Sequence, residues 1–215
     1  MSTVAFDVIG TLFSLDRPRE VLTSMGAPPL TLELWFAESL REAFALSHSG
    51  GYRPFAEVLG SALERLLPSV VEGPDVSSRV MDAMRELDPA PGAEQAIDRF
   101  SEAEWRLLTL TNGSEESTRS LLRRLDREDR FAAVLSCDDV RTTKPHQRVY
   151  ELAKNHADGE LWLVAAHAWD VSGAARAGLR TAWVPSVEGR YLSIYPEPDV
   201  TASDLAAAAD RILSA

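Results

Sequence analysis

The sequence predicts an α/β protein: a parallel sheet with helices on both faces, and an all-helical segment inserted after the first strand. Two observations carry this. Short β-rich runs recur along the chain and alternate with stretches of helical apolar spacing, the pattern of a covered parallel sheet. Between residues 14 and 88 that rhythm stops, and only helical stretches are found. The chain has 215 residues, 45% of them hydrophobic, which suits one large domain or a core with a smaller insertion.

In chain order, the first strand is read in "TVAFDV" (3–8), and helical stretches follow near 31–47, 54–67 and 75–86. The turn-rich "DPAPGAE" (88–94) marks the return to the sheet. Four more strands are expected in "WRLLTL" (105–110), "FAAVLS" (131–136), "LWLVAA" (161–166) and "RTAWVP" (180–185). Helices are expected in "STRSLLRRL" (117–125), "RVYELAKNH" (148–156), "DVSGAARAG" (170–178) and "SDLAAAADRIL" (203–213). Gly178 serves as a stop signal and Ser203 as a start signal. The expected division is 1–13 plus 89–215 for the sheet domain and 14–88 for the helical insertion.

The 33 acidic and 22 basic residues leave a net charge of −11, which disfavours nucleic acid and anionic membranes as partners. An anionic substrate then needs a local cationic pocket. The single cysteine, Cys137, has no partner within the chain and reads as a buried small residue. No apolar run approaches the roughly 20 residues that span a bilayer. Asp7 and Gly10 interrupt the N-terminal apolar stretch early, unlike a secretory signal. A soluble, cytoplasmic protein is expected.

In open α/β sheets, functional groups gather beyond the carboxyl ends of the strands. Here the first strand delivers Asp7 and Thr11, and the second delivers Thr111, Asn112 and Gly113. The third leads to Lys144, and the fourth to His167, Trp169 and Asp170. A carboxylate is a covalent nucleophile when it is kept ionised, and a nearby lysine favours that form. Thr11, one turn after Gly10, is placed to hydrogen-bond Asp7. "TNGSEES" (111–117) opens a helix whose free amides welcome an anion, with Ser114 as its N-cap. Asp170 is suited to orient Lys144 or to help activate water. Each residue alone has a plainer reading. Asp7 reads as a turn residue, Tyr150 as core, His167 as a structural partner and Trp169 as a pocket wall. Only the ordered set points to a site.

Read in order, "FDVIGTLF", "LTNGS", "KPHQRVYELA" and "AWDVSGAARAGLRTAWV" resemble the haloacid dehalogenase superfamily, most of all its L-2-haloacid dehalogenase (type II) branch. The resemblance covers nearly the whole chain. It implies a Rossmann-like core, a helical cap, a small anionic substrate, a homodimer, and chemistry without cofactor or metal. It also implies that Asp7 forms an ester which water then hydrolyses. Thr11, Lys144 and Asp170 carry over as its catalytic companions, and Asn112, Tyr150 and Trp169 as substrate neighbours. Thr111 takes the place of the usual serine, and Leu40 and Phe55, with Tyr52, match the apolar wall.

Two departures stand out. Ala165 and His167 replace a serine and an asparagine ahead of Asp170, and Phe36 follows Trp35 where the cap carries an arginine that receives the departing halide. Arg41 falls on another face of the helix, and Arg53 and His48 are not aligned replacements. His167 is therefore the preferred compensating donor. Phosphatases of the superfamily place a second aspartate two residues after the nucleophile and bind Mg²⁺ through acids after the fourth strand. Ile9 and Ala165 occupy those positions and offer no side-chain oxygen, so Mg²⁺ enters only under a phosphatase alternative. A non-catalytic protein that binds a small acid, with Asp7 and Lys144 as a structural ion pair, is the other alternative.

Overall fold

The computed structural model describes residues 1–71 and 75–215; residues 72–74, within the inserted segment, lie outside the description. The sheet strands are β1 (Thr3–Phe6), β2 (Arg106–Thr111), β3 (Phe131–Ser136), β4 (Leu161–Ala165), β5 (Arg180–Trp183) and β6 (Val200–Thr201). All pair in parallel, in the spatial order β3-β2-β1-β4-β5-β6. Helices α1 (Asp16–Ser24), α2 (Thr31–His48), α3 (Phe55–Leu66) and α4 (Val76–Arg85) lie between β1 and β2. Then follow α5 (Ala93–Glu102), α6 (Glu115–Arg124), α7 (Gln147–Asn155), α8 (Ala168–Arg176) and α9 (Leu205–Leu213).

The inner strands β1, β2, β4 and β5 are buried on both faces, and their alternating side chains feed two separate apolar layers. Val4 and Phe6 of β1 and Trp162 and Val164 of β4 face a layer built with α5, α6 and α9. Ala5, Leu163 and Ala165 point the other way, towards Val149, Tyr150 and Ala153 of α7 and Val171 and Ala174 of α8. The first layer runs without a break into the helical segment through Leu22, Trp35, Phe36 and Leu63. Chain entry and exit there are paired: Phe13 bridges Pro89, Ser14 N–H donates to Asp88 (2.8 Å) and Ala90 N–H donates to Leu12 (3.0 Å). Strand order reverses at the β1–β4 seam, where open α/β sheets form their crevice.

Several elements differ from the sequence reading. The first strand ends at Phe6 because the chain turns back on itself, with Phe13 N–H donating to Val8 (3.0 Å). The two-residue strand β6 was not expected; it exists only by pairing with Ala182 and Trp183. Helix α1 escaped notice because it buries only Pro18 and Leu22. Helix α5 also went unread, although Ala93, Ala96, Ile97 and Phe100 are spaced for a helix and buried. The start signal of α9 is Asp204, whose carboxylate accepts from Ala207 N–H at 2.8 Å, rather than Ser203. Ser114 caps α6 as expected, accepting from Ser117 N–H, and Cys137 is fully buried.

Helix α8 meets α7 at Gly173. A Cβ there would fall 2.6 Å from Pro145 Cβ and against the Tyr150 hydroxyl. Gly173→Ala is therefore expected to destabilise the protein by about 1–3 kcal/mol through overpacking. Thermal melting checks this: a chain of this size loses about 2–4 °C per kcal/mol. An unchanged melting temperature would contradict the tight helix contact.

Candidate active site

Asp7 is the first residue past β1, and its backbone N–H donates to Val164 of β4 at 3.0 Å, so its side chain starts at the β1–β4 seam. The turn that follows needs Gly10 at φ +84°, where a Cβ would crowd His167 (3.0 Å) and Val187 (3.2 Å). That turn brings Thr11 back to the carboxylate. Its hydroxyl donates to Asp7 Oδ2 (2.6 Å) and accepts from Ala166 N–H (2.9 Å), tying the ends of β1 and β4 together.

Lys144 arrives on the segment after β3 and is fully buried. Its Nζ donates to Asp7 Oδ1 at 2.8 Å and to Asp170 Oδ2 at 2.6 Å. Its backbone N–H donates to Asn112 Oδ1 at 3.1 Å, which couples the end of β2 to the same point. Asp170, in the first turn of α8, accepts from the Tyr150 hydroxyl at 2.7 Å on its other oxygen. A hydrogen-bonded chain thus runs Tyr150–Asp170–Lys144–Asp7–Thr11.

Burial acts to raise the Asp7 pKa, but the Lys144 charge and the His167 hydrogen bond outweigh it and hold the carboxyl well below the usual range. Burial likewise opposes the Lys144 charge, yet Asp170 and Asp7 together push its pKa above the ordinary value. One ammonium serves two carboxylates, and Asp170 bears the deficit. Burial raises its pKa and the Asp7 charge adds to that, against the opposing pull of Lys144. Burial, first, and then Asp170 raise the Tyr150 phenol well above its ordinary value, so it remains a donor. Burial pushes the Cys137 thiol up to about 12, so it is a packing residue there rather than a thiolate.

His167 completes the Asp7 environment. Its Nδ1 lies 3.1 Å from Asp7 Oδ2, and because an ionised carboxylate only accepts, Nδ1 carries the proton. The ring is 3% exposed, and its Nε2 is buried with no hydrogen-bond partner among the described residues. Phe36 stacks on the imidazole at 5.8 Å between centroids, and Trp169 lies against it at 5.2 Å. Beyond this ring opens a cavity of about 490 Å³ lined by Thr11, Phe36, Leu40, His167 and Trp169, among others. A second cavity, about 360 Å³, opens near Ile9, Phe55 and Gly113.

The structure therefore brings Asp7, Thr11, Lys144, Tyr150, Asp170, His167 and Asn112 into one hydrogen-bonded cluster. Phe36, Leu40 and Trp169 form a wall beside it. Thr111 stays at the end of β2, where its hydroxyl accepts from Gly113 N–H at 2.9 Å. Phe55 touches Phe36 edge-on but lines the second cavity. Tyr52 is bonded to Asp138 instead of facing either cavity. Arg41 pairs with Glu42 and Arg53 with Glu57, and neither they nor His48 line either of these two cavities. Arg19 does line the larger one, paired with Glu33 and Asp16. Sequence reading missed it because α1 itself was missed. Glu188 was missed too: its carboxylate accepts from Ala168 N–H at 2.9 Å, at the start of α8.

With this geometry in hand, residues 1–178 match the family described as haloacid dehalogenase-like hydrolase. Among curated relatives, (S)-2-haloacid dehalogenase 1 of Pseudomonas sp. (strain CBS-3) is 28% identical over 82% of this chain and 81% of its own length. Haloacetate dehalogenase H-2 of Moraxella sp. (strain B) is 26% identical, over 94% of this chain and 93% of its own. In fold, the chain is similar to the L-2-haloacid dehalogenase from Xanthobacter autotrophicus, with a TM-score of 0.87 and 22% identity. That match covers 99% of this chain and 98% of the other.

Two predictions follow from the charge cluster. Lys144→Met leaves two buried carboxylates without their cation and is expected to cost about 3–5 kcal/mol in urea unfolding. Adding Asp170→Asn should recover part of that loss. Asp7 has its pKa depressed by folding, so its stabilising share is present above the unfolded value of about 4 and fades as pH falls below it. Unfolding free energies measured from pH 7 to pH 3 should therefore fall more steeply in wild type than in Asp7→Asn.

Proposed function

The chain belongs to the haloacid dehalogenase-like hydrolases, and from that premise we propose that it hydrolyses a 2-halo carboxylic acid through an Asp7 ester, without a metal. One observation supports this most: Asp7 is buried, held ionised and only partly occupied. A carboxylate offers about four acceptor sites. Thr11 and His167 share Oδ2, while Oδ1 accepts from Lys144 alone and so retains a lone pair.

In this reading Asp7 Oδ1 attacks the carbon bearing the halogen. A carbon–oxygen bond forms as the carbon–halogen bond breaks, and the halide leaves with the bonding pair. Lys144 balances the charge on the carboxylate side. The Asn112 side-chain amide donates to no described residue and is available to the substrate carboxylate. His167 Nε2 stands in for the missing cap arginine, which Phe36 replaces: in the imidazolium form its N–H receives the halide. Water then attacks Asp7 Cγ, restoring the carboxylate and releasing a 2-hydroxy acid. The Nε2 proton departs to solvent with the halide, which leaves His167 neutral with its proton on Nδ1; Nε2 then takes the water's proton and the imidazolium is restored. Residues 14–88 act as the cap that closes over the core.

The donor set does not suit magnesium. Ile9 and Ala165 offer no oxygen, and the two carboxylates that remain, Asp7 and Asp170, are drawn onto the Lys144 ammonium. No step here passes through a metal.

The test is free-halide release from short 2-chloro and 2-bromo acids in the presence of a chelator. Wild type should release halide undiminished by the chelator. Asp7→Asn should fold normally and turn over at less than about a thousandth of the wild-type rate. His167→Ala should slow release by about 10²–10³-fold. Retained turnover in Asp7→Asn would remove the proposed nucleophile. A magnesium-dependent rate on phosphate esters would redirect the assignment to a phosphatase.

A further inference from the structure

The cavity on the His167 side of Asp7 is graded. Its floor is Thr11 and His167, both bonded to Asp7, with Nε2 of His167 buried and unpartnered. Its inner wall is buried and apolar: Leu15, Leu32, Phe36, Leu40, Val184 and Leu205. Its rim is exposed and mostly polar, with Asp16, Glu33, Ser186, Glu188 and Ser203 beside the apolar Ala37 and Val187. The charged rim groups are already engaged. Glu33 and Asp16 pair with Arg19, and Glu188 accepts from Ala168 N–H. No rim charge therefore calls for a charged end on the ligand.

Size decides what such a space is for. A three-carbon 2-halo acid has six non-hydrogen atoms, about 180 Å³ at about 30 Å³ per water-sized group. It would fill well under half of the 490 Å³ present and leave the apolar wall facing water. Phe36 matters here. Where the resemblance expects a cap arginine, this chain places an aromatic ring that makes the wall continuous from Leu40 to His167.

Building on the dehalogenation reading, we infer that the acid taken by this site carries an apolar tail, about five to eight carbons in all, lying along this wall. The reacting carbon sits at the floor, over Thr11 and beside Asp7, with its leaving group against the unpartnered Nε2 of His167. The tail runs over Phe36, Leu40 and Leu32 towards the rim, where the chain ends near the exposed Ala37.

Two measurements test this. The first is kcat/KM for halide release along the series from 2-chloropropionate to 2-chlorooctanoate. It should rise about fourfold per methylene until the wall is covered. Ala37→Phe, on the exposed rim of α2, should move the optimum to shorter chains. The second measurement needs no turnover: calorimetric binding of hexanoate against propionate, with hexanoate expected to bind tens of times more tightly. Halide release that is flat or falls with chain length, together with equal binding of the two acids, overturns the tail site and leaves dehalogenation standing. No halide from any chain, with hexanoate still preferred, supports the tail site and overturns dehalogenation.

Discussion

The Lys144 ammonium is sealed between Asp7 and Asp170, and a lone charge in that position would cost several kcal/mol in desolvation. Its two short hydrogen bonds offset that cost only if three separate strand ends meet at one point. Asp7 comes from the end of β1, Lys144 from the segment after β3, and Asp170 from the first turn after β4. The sheet order places β1 beside β4 and makes the meeting possible. Asn112 closes the last gap by accepting from the Lys144 backbone, so β2 is drawn in as well. The same contacts that stabilise the fold keep a carboxylate ionised in a buried place, which is what nucleophilic catalysis requires.

The charges within that cluster do not balance around a single lysine. Two carboxylates share it, and the structure resolves the excess by giving them unequal surroundings. Asp7 gains Thr11 and His167 and is held ionised. Asp170 gains only the neutral Tyr150 hydroxyl and is pushed towards its protonated form. Environments that push paired carboxyl groups apart are how a site separates roles between chemically identical side chains. Here the separation leaves Asp7 ionised and Asp170 as the group that holds Lys144 in place.

The helical segment does more than cover the sheet. Its interior is continuous with one sheet layer, and Phe36 and Trp169 clasp His167 from the two parts of the chain. An imidazole so placed cannot be swapped without moving either the α2 face or the start of α8. Phe36 thus lays an apolar ring against the imidazole whose Nε2 is the one buried side-chain nitrogen without a partner among the described residues.

The sequence by itself determined the layered architecture and most of the cluster. Strand and helix periodicities are local properties of the chain, and Asp7, Thr11, Lys144 and Asp170 each lie on a segment that follows a readable strand. Ser114 as a cap and Cys137 as a buried residue were legible for the same reason, since a cap or an apolar position is set by near neighbours. What only the tertiary structure decided is partnership across long separations. That one lysine serves two carboxylates, 137 and 26 positions away, has no local signature. Nor does the bond from His167 to Asp7, or the arrival of Arg19 at the cavity through a helix with little apolar face. Those facts depend on which side chains the packed layers bring within about 3 Å of each other, and packing is settled by the whole chain at once.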